Sequence, residues 1–172
     1  QKLIAGDKQA FELCYRVHSP GLYTMIKKVC GCEFIAKELL HDAFIKAHAA
    51  KESLTLDSNL KAWLKTIAIR LTINHLNASE QKWVVRDENE TISTQTVTGF
   101  THQMEHQNTL TLLFSKLNEK ERLVVWLFVV EGQTHEEIGL LFDRSASFSK
   151  SLVSRALIKL RNMPEVPKNG TC

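Results

Sequence analysis

The sequence predicts an all-α protein made of two small helical domains that are joined by a flexible linker. Three observations support this fold class. Only three prolines and seven glycines occur among 172 residues, so few positions interrupt a helix. Apolar residues make up 44% of the chain and recur at helical spacing in two separate blocks. Between the blocks, residues 78–104 are rich in Ser, Thr, Gln, Asn and Glu and lose that periodicity, which is typical of a linker.

The first domain, residues 1–77, is predicted to contain four helices. Asp7 is a good N-cap for a helix that begins at Lys8, and Pro20 favours the first turn of a new helix, so we expect one helix up to Ser19 and a second from Pro20. The second helix runs to about residue 30, the third covers about 34–50, and the fourth about 59–77. Four helices with short connections can bury one core.

The second domain is predicted over residues 105–163, followed by a tail over 164–172. A helix begins near Leu110, and the sequence from Asn118 to Glu121 opens another, which stays apolar up to Gly132. Thr134 followed by Glu137 has the spacing of a capping box, which predicts a short helix ending near residue 141. A turn over 142–144 and a cap at Ser145 or Ser147 lead into a last helix that ends at about residue 161.

The segment 134–161 is typical of a helix-turn-helix motif. Its second helix holds four basic residues and no acidic residue, and its first half is rich in serine. Small hydroxyls allow close approach and bond phosphates or bases, so this pattern indicates a recognition helix for the DNA major groove. Taken alone, the segment is also consistent with a solvated basic surface helix.

Helical periodicity predicts which residues of this last helix face DNA. Positions three and four apart share a face, and the predicted base-reading residues are Ser147, Lys150, Ser151 and Ser154. We expect Arg155, at the margin of that face, and Arg144, in the turn, to contact DNA as well. Leu152 and Leu157 are predicted to seat the helix on the preceding one.

Two sets of motifs resemble one known family. The runs Leu117-Asn-Glu-Lys-Glu-Arg122, Glu131-Gly-Gln-Thr-His-Glu-Glu-Ile138 and Arg155-Ala-Leu-Ile-Lys-Leu-Arg161 resemble region four of extracytoplasmic-function (ECF) sigma factors. Ala36-Lys-Glu-Leu-Leu-His-Asp-Ala-Phe44 and Trp63-Leu-Lys-Thr-Ile-Ala68 resemble region two of the same family. Both matches occur in the family's order and cover most of the chain, so the resemblance implies a two-domain sigma factor that directs core RNA polymerase to promoters.

The resemblance also implies partners and site residues. Region two binds the largest catalytic subunit of polymerase, here through Glu38, His41 and Asp42, and it captures the melted −10 strand. For that strand the residues implied are Asn59, Lys61, Lys65, Arg70 and Asn74, while Trp63 is expected mainly to support the core. Region four reads the −35 element and touches the second-largest subunit. An anti-sigma factor is a possible further partner.

Several residues depart from the family pattern. Ile69 and Arg70 stand where the family has Arg-Asn, Ser149 stands where a valine is common, and Leu152 replaces a frequent arginine. These departures leave open a degenerate sigma-like regulator. A stand-alone helix-turn-helix regulator is the other alternative, against which the 36–44 motif argues.

Other features exclude several function classes. No phosphate loop, zinc-protease motif or nucleophile elbow occurs, so we expect no catalytic residues and no cofactor. The cysteines, at positions 14, 30, 32 and 172, lack the spacing of a zinc site, and no metal is expected. The opening residues lack the pattern of a signal peptide, and the longest apolar run, 123–130, is too short to cross a bilayer. A cytoplasmic location without membrane insertion is therefore expected.

Overall fold

A computed structural model of the chain describes residues 2–55, 57–87 and 109–162. The chain divides into two compact units, Gln1–Gly99 and Phe100–Cys172. Every regular element in the described ranges is a helix, which confirms the predicted fold class. The division between the units falls within the predicted linker, 78–104, whose last seventeen residues lie outside the described ranges. The tail over 164–172 also lies outside them.

The first unit begins with one long helix where two were predicted. Helix α1 spans Lys8–Cys30 and passes through Pro20 without ending. Asp7 caps it as expected, accepting hydrogen bonds from two backbone N–H groups. The prediction of a helix boundary at Ser19–Pro20 was therefore wrong. Proline removes only one backbone donor, and Pro20 is exposed, while one buried face continues on both sides of it through Cys14, Leu22, Met25 and Val29.

Helices α2, Glu33–Ala49, and α3, Leu60–Asp87, complete this unit, with a 3-10 turn at Lys51–Ser53 between them. On α2 one apolar stripe is buried, because Leu39, Ala43 and Ala47 recur every four residues along the face that packs inward. Helix α3 extends ten residues past its predicted end at 77. Residues 78–87 contain neither glycine nor proline, so nothing in the backbone stops the helix there.

The described part of the second unit, residues 109–162, contains four α-helices. They are α4, Thr109–Ser115, α5, Glu119–Val125, α6, His135–Leu141, and α7, Ala146–Arg161. Asn118 caps α5 and shares a reciprocal capping box with Glu121, as the predicted helix start required. Helix α5 continues into a π-helical turn, Trp126–Val130, which the sequence did not predict. Gly132, at φ 68°, ends that segment in a left-handed conformation.

Candidate nucleic-acid interface

Helices α6 and α7 form the predicted helix-turn-helix. Thr134 and Glu137 make the expected capping box: the Glu137 N–H donates to the Thr134 hydroxyl, and the Glu137 carboxylate accepts from the Thr134 N–H at 2.7 Å. Because the backbone N–H and the hydroxyl of Thr134 both donate to it, the pKa of the Glu137 carboxyl lies below its usual value. The cap fixes where α6 begins and hence the direction of the whole motif.

The turn between the two helices is tight. Asp143 adopts a left-handed conformation, φ 53°, which a short polar side chain tolerates better than most. The Arg144 N–H donates to the Gly139 carbonyl at 2.9 Å and closes the turn. A methyl group at Gly139 would lie 2.7 Å from the Arg144 carbonyl oxygen, so only glycine fits here without a shift. The sequence does not reveal the requirement at Gly139, because it depends on this close approach of two backbone segments.

Helix α7 has one face buried in the unit and another exposed. The buried residues are Ser149, Leu152, Val153 and Ala156. All of the predicted base-reading residues, Ser147, Lys150, Ser151 and Ser154, are exposed. Lys150, Ser151, Ser154 and Arg155 line one shallow open depression. The structure therefore brings the predicted DNA-facing side chains of α7 together on one side of the helix.

The start of α7 differs in detail from the prediction. Ser145 occupies the N-cap position, but its side chain makes no capping hydrogen bond. Its hydroxyl instead lies 2.7 Å from the Ser147 hydroxyl, on the exposed side. Arg144 is exposed in the turn just before them. Phe148 packs against Phe142 at 5.2 Å between ring centroids and anchors this first turn to the end of α6.

Of the two leucines predicted to seat α7 on α6, the prediction for Leu157 was wrong. Leu152 is 6% exposed and packs inward as expected, whereas Leu157 is 47% exposed. At 100° per residue, Leu157 lies 140° around the helix from Leu152, and Ala156 occupies the inward position instead. The apolar character of Leu157 suggested burial, but its angular position does not allow it.

An ion pair that the sequence did not reveal anchors the far end of α7. Lys159 donates to both carboxylate oxygens of Glu121, at 2.7 and 2.8 Å. The Glu121 side chain is only 4% exposed, and that of Lys159 is 47% exposed. The two residues are 38 positions apart, so no local spacing connects them. Lys159 is thus directed to the interior of the unit and away from the exposed face of α7.

On the first unit, the three residues predicted to bind polymerase lie together. Glu38, His41 and Asp42 are all exposed on α2, within about one helical turn. Two large apolar side chains on the same helix, Phe34 and Ile45, are also exposed, by 67% and 54%. We call these five residues the α2 surface.

The predicted strand-capturing residues do not share one surface. Asn59 accepts a hydrogen bond from the Ala62 N–H at the start of α3. At 100° per residue, Lys61 and Lys65 lie on one side of α3, while Arg70 and Asn74 lie roughly opposite Lys61 and Lys65, respectively. These predicted residues therefore divide into two groups.

Trp63 is half-buried, which agrees with the expected supporting role. Its indole N–H donates to the Ser53 hydroxyl at 3.2 Å and ties the start of α3 to the 3-10 turn. The Ser53 hydroxyl in turn donates to the Ala50 carbonyl at 2.7 Å. These bonds fix the connection between α2 and α3.

Other chemistry in the described part of the chain is sparse. No group of three or more His, Cys, Asp or Glu residues is arranged there to hold a metal ion. Cys14 is buried, and burial raises the pKa of its thiol. No described helix combines the length and the apolar character needed to cross a bilayer.

Comparison with known proteins matches both units to one family. The family model for sigma-70 region 2 matches residues 14–82, and the model for sigma-70, region 4 matches residues 107–160. The chain is 22% identical over 169 residues to the ECF RNA polymerase sigma factor SigW of Bacillus subtilis, covering 91% of this chain and 89% of that protein. It is 22% identical over 148 residues to the ECF RNA polymerase sigma factor SigM of the same organism, covering 86% and 90%.

Solved structures show the same fold. The sigma factor RpoE of Bartonella quintana, solved in complex with the anti-sigma factor NepR, matches with a TM-score of 0.59 and 23% identity, over 89% of this chain and 95% of that one. CnrH, solved in complex with the cytosolic domain of CnrY, matches with a TM-score of 0.57 and 17% identity, over 93% and 90%.

Proposed function

The chain belongs to the ECF sigma factors of the sigma-70 family, and from that premise we propose which of its surfaces bind polymerase and which bind promoter DNA. Sigma factors are non-catalytic initiation factors that direct RNA polymerase to promoters. Because that polymerase is cytoplasmic, we propose that this chain also acts in the cytoplasm. Matches to both regions in one chain disfavour a stand-alone helix-turn-helix regulator.

The proposed −35 reader is the exposed face of α7. The observation that carries this assignment is the division of the helix between an anchored side, which includes Leu152 and Ala156, and an exposed side, which includes Lys150 and Ser151. A lysine can donate to guanine in the major groove, and serine hydroxyls can bond either kind of base. Arg155 lies at the margin, where its Nε is 3.4 Å from the Ser151 carbonyl. We assign Arg155 and Arg144 to phosphate contacts.

The proposed polymerase-binding site is the α2 surface. Its acidic residues, Glu38 and Asp42, are one turn apart and suit a basic partner surface. Phe34 lies about one turn before Glu38, and Ile45 lies about one turn after Asp42. Both are exposed and offer apolar contacts. Arg70 and Asn74 are both exposed, on the side of α3 that also carries the half-buried Trp63, and we propose that these two residues contact the melted −10 strand.

We also propose that an anti-sigma factor holds the chain inactive. Both solved structures described above are complexes with a second protein, and one of them is named as a sigma factor bound to an anti-sigma factor. A partner that covers the exposed apolar side chains of the α2 surface would block polymerase. Competition between such a protein and core polymerase for this chain would test the proposal.

The general function is tested by run-off transcription with purified core polymerase. We expect a promoter-specific product only when the chain is added. No product on any member of a promoter library, with a positive control sigma factor active on the same core, would contradict the assignment.

The −35 assignment is tested with Lys150→Ala and Arg155→Ala. Loss of a base contact at Lys150 should cost about 1–3 kcal/mol on the preferred duplex and relax the preference at one position. Loss of a phosphate contact at Arg155 should weaken all duplexes alike and reduce the salt slope by about one unit. Titration of preferred and scrambled duplexes at several salt concentrations distinguishes a base contact from a phosphate contact. If neither change alters duplex affinity, α7 does not read the −35 element.

A further inference from the structure

Ser149 is a buried polar residue on the recognition helix, α7. It is fully buried, at 0% exposed, while Lys150 and Ser151 beside it are exposed. A hydroxyl removed from water needs a hydrogen-bond partner, and leaving it without one costs free energy. The partner of Ser149 is the Nδ1 atom of His135, at 3.0 Å from the hydroxyl oxygen. The tautomer of the ring decides which of the two groups donates.

His135 is held on its other side as well. It is the first residue of α6, so the capping box of Thr134 fixes its backbone. Its ring stacks on Phe128 of the π-helical turn, with 4.5 Å between ring centroids and 13° between the planes. A single side chain therefore contacts the π-helical turn by stacking and the recognition helix by a hydrogen bond. This link joins three elements at the level of the first turn of α7.

We propose that His135 is a positioning residue, which acts through Ser149 to set the rotation of α7 and so the direction of its base-reading side chains. The proposal rests on the assignment of α7 as the −35 reader. Ser149 lies between Ser147 and Lys150, so any rotation at Ser149 changes where both side chains point. Hydrogen bonds to base edges are strongly directional, whereas phosphate contacts carry no sequence information. Loss of the link should therefore reduce sequence preference more than general affinity.

The test uses holoenzyme assembled from the full chain and core polymerase. The native holoenzyme first selects its preferred sequence from duplexes with a randomised −35 element. The measured quantity is the ratio of its affinities for that duplex and for a scrambled one. His135→Phe keeps an aromatic ring against Phe128. For this variant we expect the affinity ratio to fall about fivefold or more, because fivefold is the lower end of typical energetic coupling between two sites. Ser149→Ala should lower the ratio in the same direction.

The double variant His135→Phe/Ser149→Ala separates positioning from damage to the fold. It replaces the hydrogen-bonded pair by an apolar pair and leaves no buried hydroxyl without a partner, but it still lacks the bond, so its ratio should stay within about twofold of that of the single variants. Glu136→Asp, an exposed neighbour with its charge retained, is the control and should not change the ratio. Affinity for the scrambled duplex and its salt slope should stay constant in all four variants.

Each outcome has a distinct meaning. A native holoenzyme that selects no −35 sequence would overturn the assignment of α7 itself. Clear native selection with an unchanged ratio in His135→Phe would overturn only the positioning role. A double variant that recovers the native ratio would show that the unpaired polar groups of the single variants, and not the lost positioning bond, had lowered it. If His135→Phe does not fold, Ser149→Ala and the double variant give the same decision.

Discussion

Glu121 shows how much one buried side chain contributes to the second unit. Its carboxylate accepts from the Asn118 N–H at 3.0 Å at the start of α5, and it also accepts both hydrogen bonds from Lys159 on α7. A carboxylate that is 4% exposed is costly without such partners. The ion pair therefore connects the first turn of α5 to the end of the recognition helix.

Replacing Lys159 should reveal the free-energy cost of burying the Glu121 carboxylate without this partner. We expect Lys159→Met to lower the free energy of unfolding by about 1–3 kcal/mol, because the Glu121 carboxylate stays buried with one partner fewer. Lys116→Met, at an exposed position in the turn after α4, is the matched control and should change it by less than about 0.5 kcal/mol. Urea titration of the purified chain gives both values. Equal effects of the two substitutions would show that the ion pair contributes no stability.

Glu137 gives a prediction about pH. Its pKa is lowered in the folded chain by the Thr134 backbone N–H and hydroxyl, so the folded state favours the ionised carboxylate. Its contribution to stability is present above the unfolded pKa of about 4.3 and is lost as the pH falls through the lower folded value. In Glu137→Gln this part of the acid dependence should disappear. Unfolding measured at several values between about pH 3 and 5 checks it, and equal pH slopes of the two proteins would contradict it.

At the residue scale, the sequence predicted local partners and missed distant ones. The capping box of Thr134 and Glu137 was predicted because both partners lie within one turn and the residue types are specific. The bond between His135 and Ser149 spans 14 positions, and that between Glu121 and Lys159 spans 38, so no periodic pattern reports either.

At the scale of elements, α1 shows where residue preferences mislead. Pro20 favours a helix start, yet α1 continues through it, because one buried face runs on both sides of the proline. The length of α3 was underestimated for a related reason. A polar composition suggested a linker from residue 78, but polar residues without glycine or proline do not end a helix that is already formed.

The same proline supplies a stability prediction. Pro20→Ala should raise the free energy of unfolding by about 1–2 kcal/mol, because alanine restores the missing helical N–H, although the unfolded chain becomes more flexible. Gly21→Ala is the comparison: its added methyl meets no atom within 4 Å, and it should give about 0.5–1 kcal/mol from helix propensity alone. Thermal and urea unfolding measure both. A loss of stability in Pro20→Ala would mean that the flexibility gained by the unfolded chain outweighs the restored helical N–H.

At the scale of the whole molecule, the sequence predicted the fold class and the presence of two helical units, because composition and periodicity change together along the chain. Residues 1–77 hold 11 Lys and Arg against 7 Asp and Glu, while residues 78–117 hold 3 against 5. The proposed division of function follows this organisation, with polymerase binding on the first unit and duplex reading on the second. It implies that each activity can be removed while the other is retained.

Reversing the acidic charges of the α2 surface tests that division. Glu38→Lys/Asp42→Lys should weaken core-polymerase binding by about tenfold or more, because like charges would then face a basic partner surface. Helical content should not change, since both side chains are exposed. Glu12→Lys/Glu52→Lys is the control, because it gives the same change in net charge at exposed acidic residues elsewhere on the first unit.

Competition with a labelled native chain for core polymerase measures these affinities. The control pair should bind almost as the native chain does, and Lys150→Ala, on the second unit, should also keep its polymerase affinity while it loses duplex preference. Equal weakening by the two charge-reversed pairs would mean that net charge, and not the α2 surface, governs binding. Unchanged affinity in both pairs would remove Glu38 and Asp42 from the polymerase interface and leave the exposed Phe34 and Ile45 as the contacts to test next.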